Sequence, residues 1–214
     1  MTSIKIATLA VTTSLLAGCL HSPSNYPGAG GSNPDPQQYK NEPCVDLSGR
    51  YEGMGEIIDG DPSSLLHARM SRLDRAFPFS DKEQLATISA AAARSDGFYA
   101  YPLQGVIAKK SARTFQVTFT FPNGRAASFT PSFEDATKYV CTGSSGKIVW
   151  GGGGLEGRSE FGPNKSDFMA ALYLDEQGNL IVEDRIQVHM SLRLLHIPTG
   201  TAQHYTVYRF RRLK

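Results

Sequence analysis

Three cysteine thiols are the side chains in this sequence whose positions most directly imply chemistry. Cys19 follows an apolar run near the N-terminus, whereas Cys44 and Cys141 lie further along the chain. A thiol can be acylated, can form a disulfide or can bind a metal, and its surroundings decide which. The histidines show no metal-ligand pattern with these thiols, so we expect neither a metal nor another cofactor. The thiols therefore indicate covalent modification and cross-linking.

The residues before Cys19 have the form of an export signal. Lys5 gives a short positive region, and residues 6–16 form an apolar stretch far shorter than the ~20 residues of a membrane-spanning helix. The stretch ends in Leu-Ala-Gly-Cys at 16–19, which resembles the lipobox of bacterial lipoproteins. In that family the cysteine thiol is joined to diacylglycerol, the signal is removed before the cysteine, and the new amino group is acylated. The resemblance implies palmitate-like chains on Cys19; an ordinary signal peptide with an incidental cysteine is the alternative.

The segment that follows has the composition of a flexible tether. Fourteen of the 24 residues from 20 to 43 are Pro, Gly, Ser or Asn, so little apolar surface is available to offset the entropy of ordering. A flexible chain of this length spans about 27 Å. Leu20, rather than aspartate, after the cysteine resembles lipoproteins sent to the outer membrane of Gram-negative bacteria. We predict a signal peptide at 1–18, a lipidated tether at 19–43, and a single folded domain at 44–214 on the periplasmic face of that membrane.

The net charge bears on possible partners, and the two remaining cysteines bear on cross-linking. Removing the signal leaves 22 − 1 = 21 basic residues against 20 acidic ones, a net charge of +1. No strong field favours nucleic acid, and we expect no nucleic-acid partner. Two cysteines in an oxidising compartment predict a disulfide between Cys44 and Cys141, and two buried free thiols are the alternative.

The domain has the residue pattern of antiparallel β-strands. Residues 114–121 alternate between phenylalanine or valine and threonine or glutamine, and Asn123-Gly124 follows as a tight turn. Further hairpin turns are predicted at 143–146 and 176–179. Sequential hairpins with one solvated face predict a mainly β fold, an antiparallel meander curled into a barrel or a strongly twisted sheet.

The strand predicted to begin at Leu180 has one apolar and one polar face. Alternate residues from Leu180 to Leu194 are apolar, and only Asp184 interrupts them. Alternate residues from Glu183 to Arg193, which include His189, are polar. We therefore expect His189 to be solvated.

A helical insertion is predicted between residues 62 and 96. The dipeptide Asp-Pro at 61–62 is typical of a helix start, and Ser80 and Glu83 have the capping-box spacing before an alanine-rich run. Gly97 can end this helix. We expect the insertion to lie over the sheet or over the mouth of a barrel.

Two resemblances concern the folded domain. The segments CVDLSGRYEGMGE, YVCTGSSGKIVW and LYLDEQGNLIVED, with the terminal YRFRR, are similar to a group of uncharacterised Gram-negative envelope lipoproteins that has no assigned activity. DLSGRY also resembles the opening strand of lipocalins, with Tyr51 in place of that family's tryptophan and without a second lipocalin motif. The second resemblance implies a barrel that holds a ligand.

Sequence motifs for catalysis are mostly missing. The segment GGGLEGRS at 152–159 has the phosphate-loop spacing except for Arg158, but Gly162 and Pro163 follow where that motif needs a helix. We interpret residues 151–166 as a mobile glycine-rich loop. No serine stands in a nucleophile elbow. Paired acid–base chemistry is not expected from the acidic pairs Glu134-Asp135, Asp175-Glu176 and Glu183-Asp184. Two of these pairs lie in predicted loops, and neighbours along a strand point to opposite faces.

The predicted location and the missing motifs favour a binding protein over an enzyme. We predict a non-enzymatic envelope lipoprotein that binds a partner protein or a small apolar ligand at the outer membrane. The competing hypothesis is an envelope hydrolase whose site assembles across strands, where a histidine and a carboxylate would converge on a serine. The histidines considered for that site are His189, His196 and His204. The basic C-terminus from Arg209 onward is expected to keep an edge strand soluble.

Overall fold

The structure is a computed structural model that describes residues 36–60, 71–78, 82–136, 138–159, 162–191 and 198–214. The predicted signal peptide, Cys19 and most of the tether lie outside these residues. The described chain begins with a 3-10 turn, Pro36–Tyr39, and the later helical elements are a 3-10 turn, Leu73–Arg75, and helix α1, Lys82–Ala92. The strands are β1 (Gly49–Glu52), β2 (Glu56–Gly60), β3 (Gln104–Lys109), β4 (Phe115–Thr120), β5 (Ala126–Phe129), β6 (Tyr139–Cys141), β7 (Ile148–Ser159), β8 (Gly162–Leu174), β9 (Leu180–Ser191), β10 (Pro198–Phe210) and β11 (Arg212–Leu213).

The strands form two antiparallel sheets. The five-stranded sheet has the order β11-β1-β3-β4-β5, and the six-stranded sheet has the order β2-β10-β9-β8-β7-β6. The mainly β, antiparallel prediction is confirmed. The described strands do not close into a barrel, however, because the chain passes from one sheet to the other at a shared corner: β1 pairs with β11, and β2 pairs with β10.

The six-stranded sheet contains the predicted meander of hairpins. β8 and β9 pair along their length, with Leu174 opposite Leu180 across a turn in which Gly178 has a φ of +79°. The glycine-rich segment is not a loop, and that prediction was wrong: it lies in β7, which pairs with β8. Bare backbone suits this pairing, because a Cβ at Gly151 would lie 2.4 Å from the Phe168 carbonyl oxygen.

The alternating segment forms β4, as predicted. Its apolar side chains, including Phe115, Val117 and Phe119, are fully buried, while the residues between them are half-buried. The Asn-Gly turn joins β4 to β5, and Gly124 has a φ of +78°, which favours glycine. The phenylalanine face of β4 therefore supplies much of the core.

The predicted helical insertion is confirmed only in part, as a single helix. α1 packs against β5 and buries Ile88 and Ala92. Before it, Arg72 is extended and forms a bridge with Met54. The predicted caps at 61–62 and at Ser80 lie outside the described residues.

The predicted disulfide joins Cys44 to Cys141, with a Cα–Cα distance of 4.6 Å. Cys44 precedes β1, and its N–H donates to the Ala112 carbonyl at 3.0 Å, next to β4. Cys141 lies in β6, at one end of the six-stranded sheet. The cross-link therefore connects the segment before β1 to the six-stranded sheet, next to the end of the predicted tether.

Hydrogen bonds from Arg113 also hold the chain near Cys44. Its side chain is almost fully buried, and one guanidinium nitrogen donates to the carbonyl oxygens of Tyr39, Lys40 and Glu42 at 2.8–2.9 Å. A second nitrogen donates to the Phe133 carbonyl at 3.3 Å. The arginine thus holds residues 39–42, the end of the predicted tether, against the domain.

Replacing Arg113 by methionine should lower the free energy of unfolding by about 3 kcal/mol, because charge-assisted bonds are lost and several carbonyls lose their donor. Chemical denaturation measures the effect. The matched control is Arg125→Met, since Arg125 is exposed and makes one long bond to Ala90. Equal losses in the two variants would contradict this role for Arg113.

Because the Tyr208 side chain is buried, we expect the free energy of unfolding to fall at alkaline pH. Tyr208 is fully buried, and burial, reinforced by the charge of Asp184, raises its pKa from 10.0 to about 12. Because the folded pKa exceeds the unfolded value, the stabilisation is intact below pH 10 and is lost as the pH rises towards 12. We expect Tyr208 to account for about 3 kcal/mol of that loss.

Urea unfolding measured between pH 10 and pH 12 tests this expectation. Tyr208→Phe should flatten the pH dependence in that window. Tyr99→Phe, which changes an exposed ring, should leave it steep. An unchanged slope in Tyr208→Phe would show that other groups control the transition.

Candidate binding groove

An apolar groove lies beside the end of the five-stranded sheet. It has a volume of about 520 Å³. Four of its large side chains are 45–60% exposed, which is unusual for a cluster of such residues: Met54, Tyr99, Tyr101 and Leu103. We call this the aromatic groove, and its lining residues are Glu52, Gly53, Met54, Arg94, Tyr99, Ala100, Tyr101, Pro102, Leu103 and Pro122.

Gly53 brings the two walls of the aromatic groove together. Its N–H donates to the Leu103 carbonyl at 3.0 Å, and its carbonyl accepts from the Leu73 N–H at 3.0 Å. A Cβ at this position would lie 1.9 Å from the Pro102 carbonyl oxygen. Only glycine allows this approach.

The turn after α1 positions one wall of the aromatic groove, residues 99–103, which we call the aromatic wall. Gly97 has a φ of +82°, and Asp96 accepts from the Phe98 N–H at 3.2 Å. The Ala100 N–H then donates to the Ala92 carbonyl at 2.8 Å. The end of α1 therefore fixes the residues that precede β3.

A buried ion pair supports the same wall. Arg72 donates to both carboxylate oxygens of Asp74, at 2.9 and 2.8 Å, and also to the Ala100 carbonyl at 2.7 Å. Its guanidinium lies 4.6 Å from the centre of the Tyr101 ring. Asp74 is fully buried, and Arg72 is its ion-pair partner.

The lining of the aromatic groove suits contact with an apolar ligand. Most of it is apolar or aromatic, with the Glu52 carboxylate and the Arg94 guanidinium as its charged groups, and Arg94 is paired with Asp96. The volume falls in the range of small-molecule sites, which combine apolar walls with a few polar groups. The arrangement can hold an apolar ligand by contact and orient its polar end.

His189 lies in a separate polar cluster on the six-stranded sheet. Its Nε2 is 3.2 Å from Asp167 Oδ2, and its Nδ1 is 3.2 Å from Thr201 Oγ1. These residues come from β9, β8 and β10. The histidine side chain is 42% exposed, as expected for the polar face.

The other histidines do not join this cluster among the described residues. Thr201 is opposite His189, whereas His204 is opposite Ile186 and lies three residues from Thr201. Alternation along β10 puts His204 on the other face of the sheet, so the pairing with His189 considered from the sequence is not formed. His21, His67 and His196 lie outside the described residues.

The acidic pair Glu183-Asp184 is split between the two faces, as predicted, yet both residues are buried. Glu183 forms ion pairs with Arg185 and with Lys147, whose Nζ is 3.0 Å away. Burial and the charge of Arg185 lower the pKa of Lys147. Glu183 is therefore paired with cations and does not form a carboxylate pair with Asp184 for acid–base chemistry.

Sequence reasoning missed the aromatic groove. Its clearest signal is FYAYPL at 98–103, where large apolar residues follow a helix stop but match neither helix nor strand spacing. Glycine on one side and proline within the segment exclude a continued helix. An apolar segment without regular structure is a candidate contact surface.

Within the part of the chain that the structure describes, no three His, Cys, Asp or Glu residues are grouped to hold a metal ion. None of the described helices is long and apolar enough to cross a membrane.

The chain matches no family model, and it has no significant match among curated proteins or solved structures.

Proposed function

We propose that this protein is a lipid-anchored, non-enzymatic binding protein of the bacterial outer membrane that holds a small apolar ligand. The observation that carries the proposal is the aromatic groove, with four large apolar side chains exposed side by side. The anchor is proposed from the sequence around Cys19. A partner protein is the other occupant considered, and the volume of the groove favours the small ligand.

The test compares two exposed aliphatic side chains near the start of β3. Leu103 lines the aromatic groove, whereas Val106 is exposed outside it. Leu103→Ser should weaken binding of the apolar dye N-phenylnaphthylamine about tenfold, because a contact of 1.5–3 kcal/mol at full burial is lost in part. Val106→Ser should bind the dye like the parent chain.

Fluorescence titration of the chain carrying Cys19→Ala gives these affinities without detergent. Absence of dye binding to the parent chain, or equal loss in both serine variants, contradicts a ligand site in the aromatic groove. If instead Leu103→Ser abolishes a specific crosslink to an envelope protein while dye binding is absent, the occupant is a partner protein.

A hydrolase is the second candidate, and one observation favours it. His189 contacts a carboxylate through one ring nitrogen and a hydroxyl through the other, which is the arrangement of a nucleophile, base and orienting acid. The hydroxyl belongs to Thr201 rather than to a serine. Both distances from the His189 ring nitrogens are 3.2 Å, which is within hydrogen-bond reach for such a site.

Backbone geometry weighs against the hydrolase. Acyl transfer needs donors aimed at the developing oxyanion. Strand N–H groups lie in the plane of the sheet and point at neighbouring strands, not above its face. A fluorophosphonate probe decides between the candidates: we expect no adduct, and covalent labelling of Thr201 would favour the hydrolase.

A further inference from the structure

The aromatic groove can cover only one side of a ligand. Tyr99 and Leu103 are 53% and 60% exposed, so the groove opens to solvent instead of enclosing its occupant. A flat ring has most of its apolar area on two faces, and one of these can be covered completely by such a wall. An acyl chain is apolar all round, so an open groove leaves much of it in water.

The wall that would contact the ring is held by Arg72. The guanidinium makes three hydrogen bonds, two to Asp74 and one to the Ala100 carbonyl, and it also lies over the Tyr101 ring. A planar fork can satisfy these partners together, whereas a lysine ammonium cannot. Arg72 therefore fixes both the backbone and the ring of this wall.

Burying the Arg72–Asp74 ion pair has a cost in desolvation free energy. The carboxylate is fully buried and Arg72 is 13% exposed, so both charges are largely removed from water. Pairs of this kind contribute little net stability compared with apolar residues, and their best-attested use is to fix a particular conformation. Here the conformation fixed is that of residues 100 and 101. A wall fixed before binding lowers the ordering cost for a rigid ligand.

We propose that Asp74, acting through Arg72, keeps the aromatic groove preformed, and that the preformed groove selects flat rings over acyl chains. The proposal rests on the proposed function, since it names the ligand class of the same site. Asp74 and Arg72 are positioning residues, because Asp74 lies beneath the wall and Arg72 acts through Tyr101 and Ala100.

The test uses the full chain with Cys19→Ala, which avoids competing detergent. Calorimetry compares N-phenylnaphthylamine, a ring probe, with laurate, an acyl chain. Amide hydrogen exchange of residues 99–103 reports whether the wall is fixed in the absence of ligand. The variant is Arg72→Lys, which keeps a positive charge beside buried Asp74 and so protects folding. Its control is Arg75→Lys, the same change three residues later, where the arginine bonds to Ser89 outside the groove.

We expect the ring probe to bind at least tenfold more tightly than laurate. Arg72→Lys should weaken ring binding about tenfold and speed amide exchange of residues 99–103 by a similar factor. Arg75→Lys should change neither quantity. Unchanged exchange and affinity in Arg72→Lys overturn the positioning role, and preferred binding of laurate overturns the ligand class while the proposed function stands. Binding of neither probe overturns both.

Discussion

Replacing Cys44 and Cys141 together by alanine is expected to lower the free energy of unfolding by about 4.7 kcal/mol. The cross-link closes a loop of 97 residues, and in the chain-entropy model a loop near 100 residues restricts the unfolded chain by that amount. Both cysteines are fully buried, so alanine avoids placing a hydroxyl in the core. Urea denaturation of the double variant and the parent chain measures the difference.

Reduction of the parent chain provides the matched control for the disulfide. Reduced parent protein should unfold at nearly the same urea concentration as the double variant, because both lack the covalent closure. Each single variant should resemble them. A double variant within about 1 kcal/mol of the oxidised parent would contradict this expectation.

Replacing Cys19 by alanine is expected to release the protein from the membrane almost completely. One acyl chain gives only marginal, reversible binding, whereas several chains together anchor a protein stably. Without the thiol no thioether forms, so none of these chains would be attached. Membrane fractionation of cells, followed by intact-mass measurement of the purified protein, reports both the location and the modification.

The alanine variant of the disulfide is the control for this experiment, because it changes thiols without changing the lipobox. It should remain in the membrane fraction to the extent that it folds. If the protein with Cys19→Ala sediments with membranes as the parent does, or if the parent carries no added mass at residue 19, the proposed anchor is wrong.

The positions of the tether and of the aromatic groove separate anchoring from binding. Cys44 and Arg113 lie at the end of the five-stranded sheet where β4 begins, and the groove lies where β4 ends, beside Pro122. A strand of six residues spans about 20 Å. The groove therefore lies about one strand length from the point where the predicted tether would join the domain.

Strands whose pattern is complete within a few residues could be predicted from the sequence. The phenylalanines of β4 alternate because one face of that strand is buried, and Asn123-Gly124 turns the chain because of its own backbone preferences. The disulfide also followed from counting, since two cysteines remained after Cys19 was assigned elsewhere. The strand and the turn follow from neighbouring residues, and the disulfide follows from the number of cysteines.

The glycine-rich segment shows where local reasoning failed. Four consecutive glycines disfavour a strand by entropy, and the sequence therefore predicted a loop. In the structure that segment pairs with β8, and Gly151 accommodates the backbone of Phe168 at a distance no side chain would allow. A neighbouring strand decided the conformation. The same holds for the two sheets in place of one barrel, since the corner depends on β10 and β11 at the far end of the chain.

The sequence by itself determined β4 with its Asn-Gly turn, the hairpin of β8 and β9, the cysteine pairing and the expectation of a lipid anchor at Cys19. Only the tertiary structure decided the site. The aromatic groove combines Gly53, Arg72, Tyr101 and Pro122, which are separated by up to about seventy residues and contribute through backbone approach, a buried charge and ring position. No periodicity relates such residues, because hydrophobic patterns report which face of one element is buried and not which elements meet.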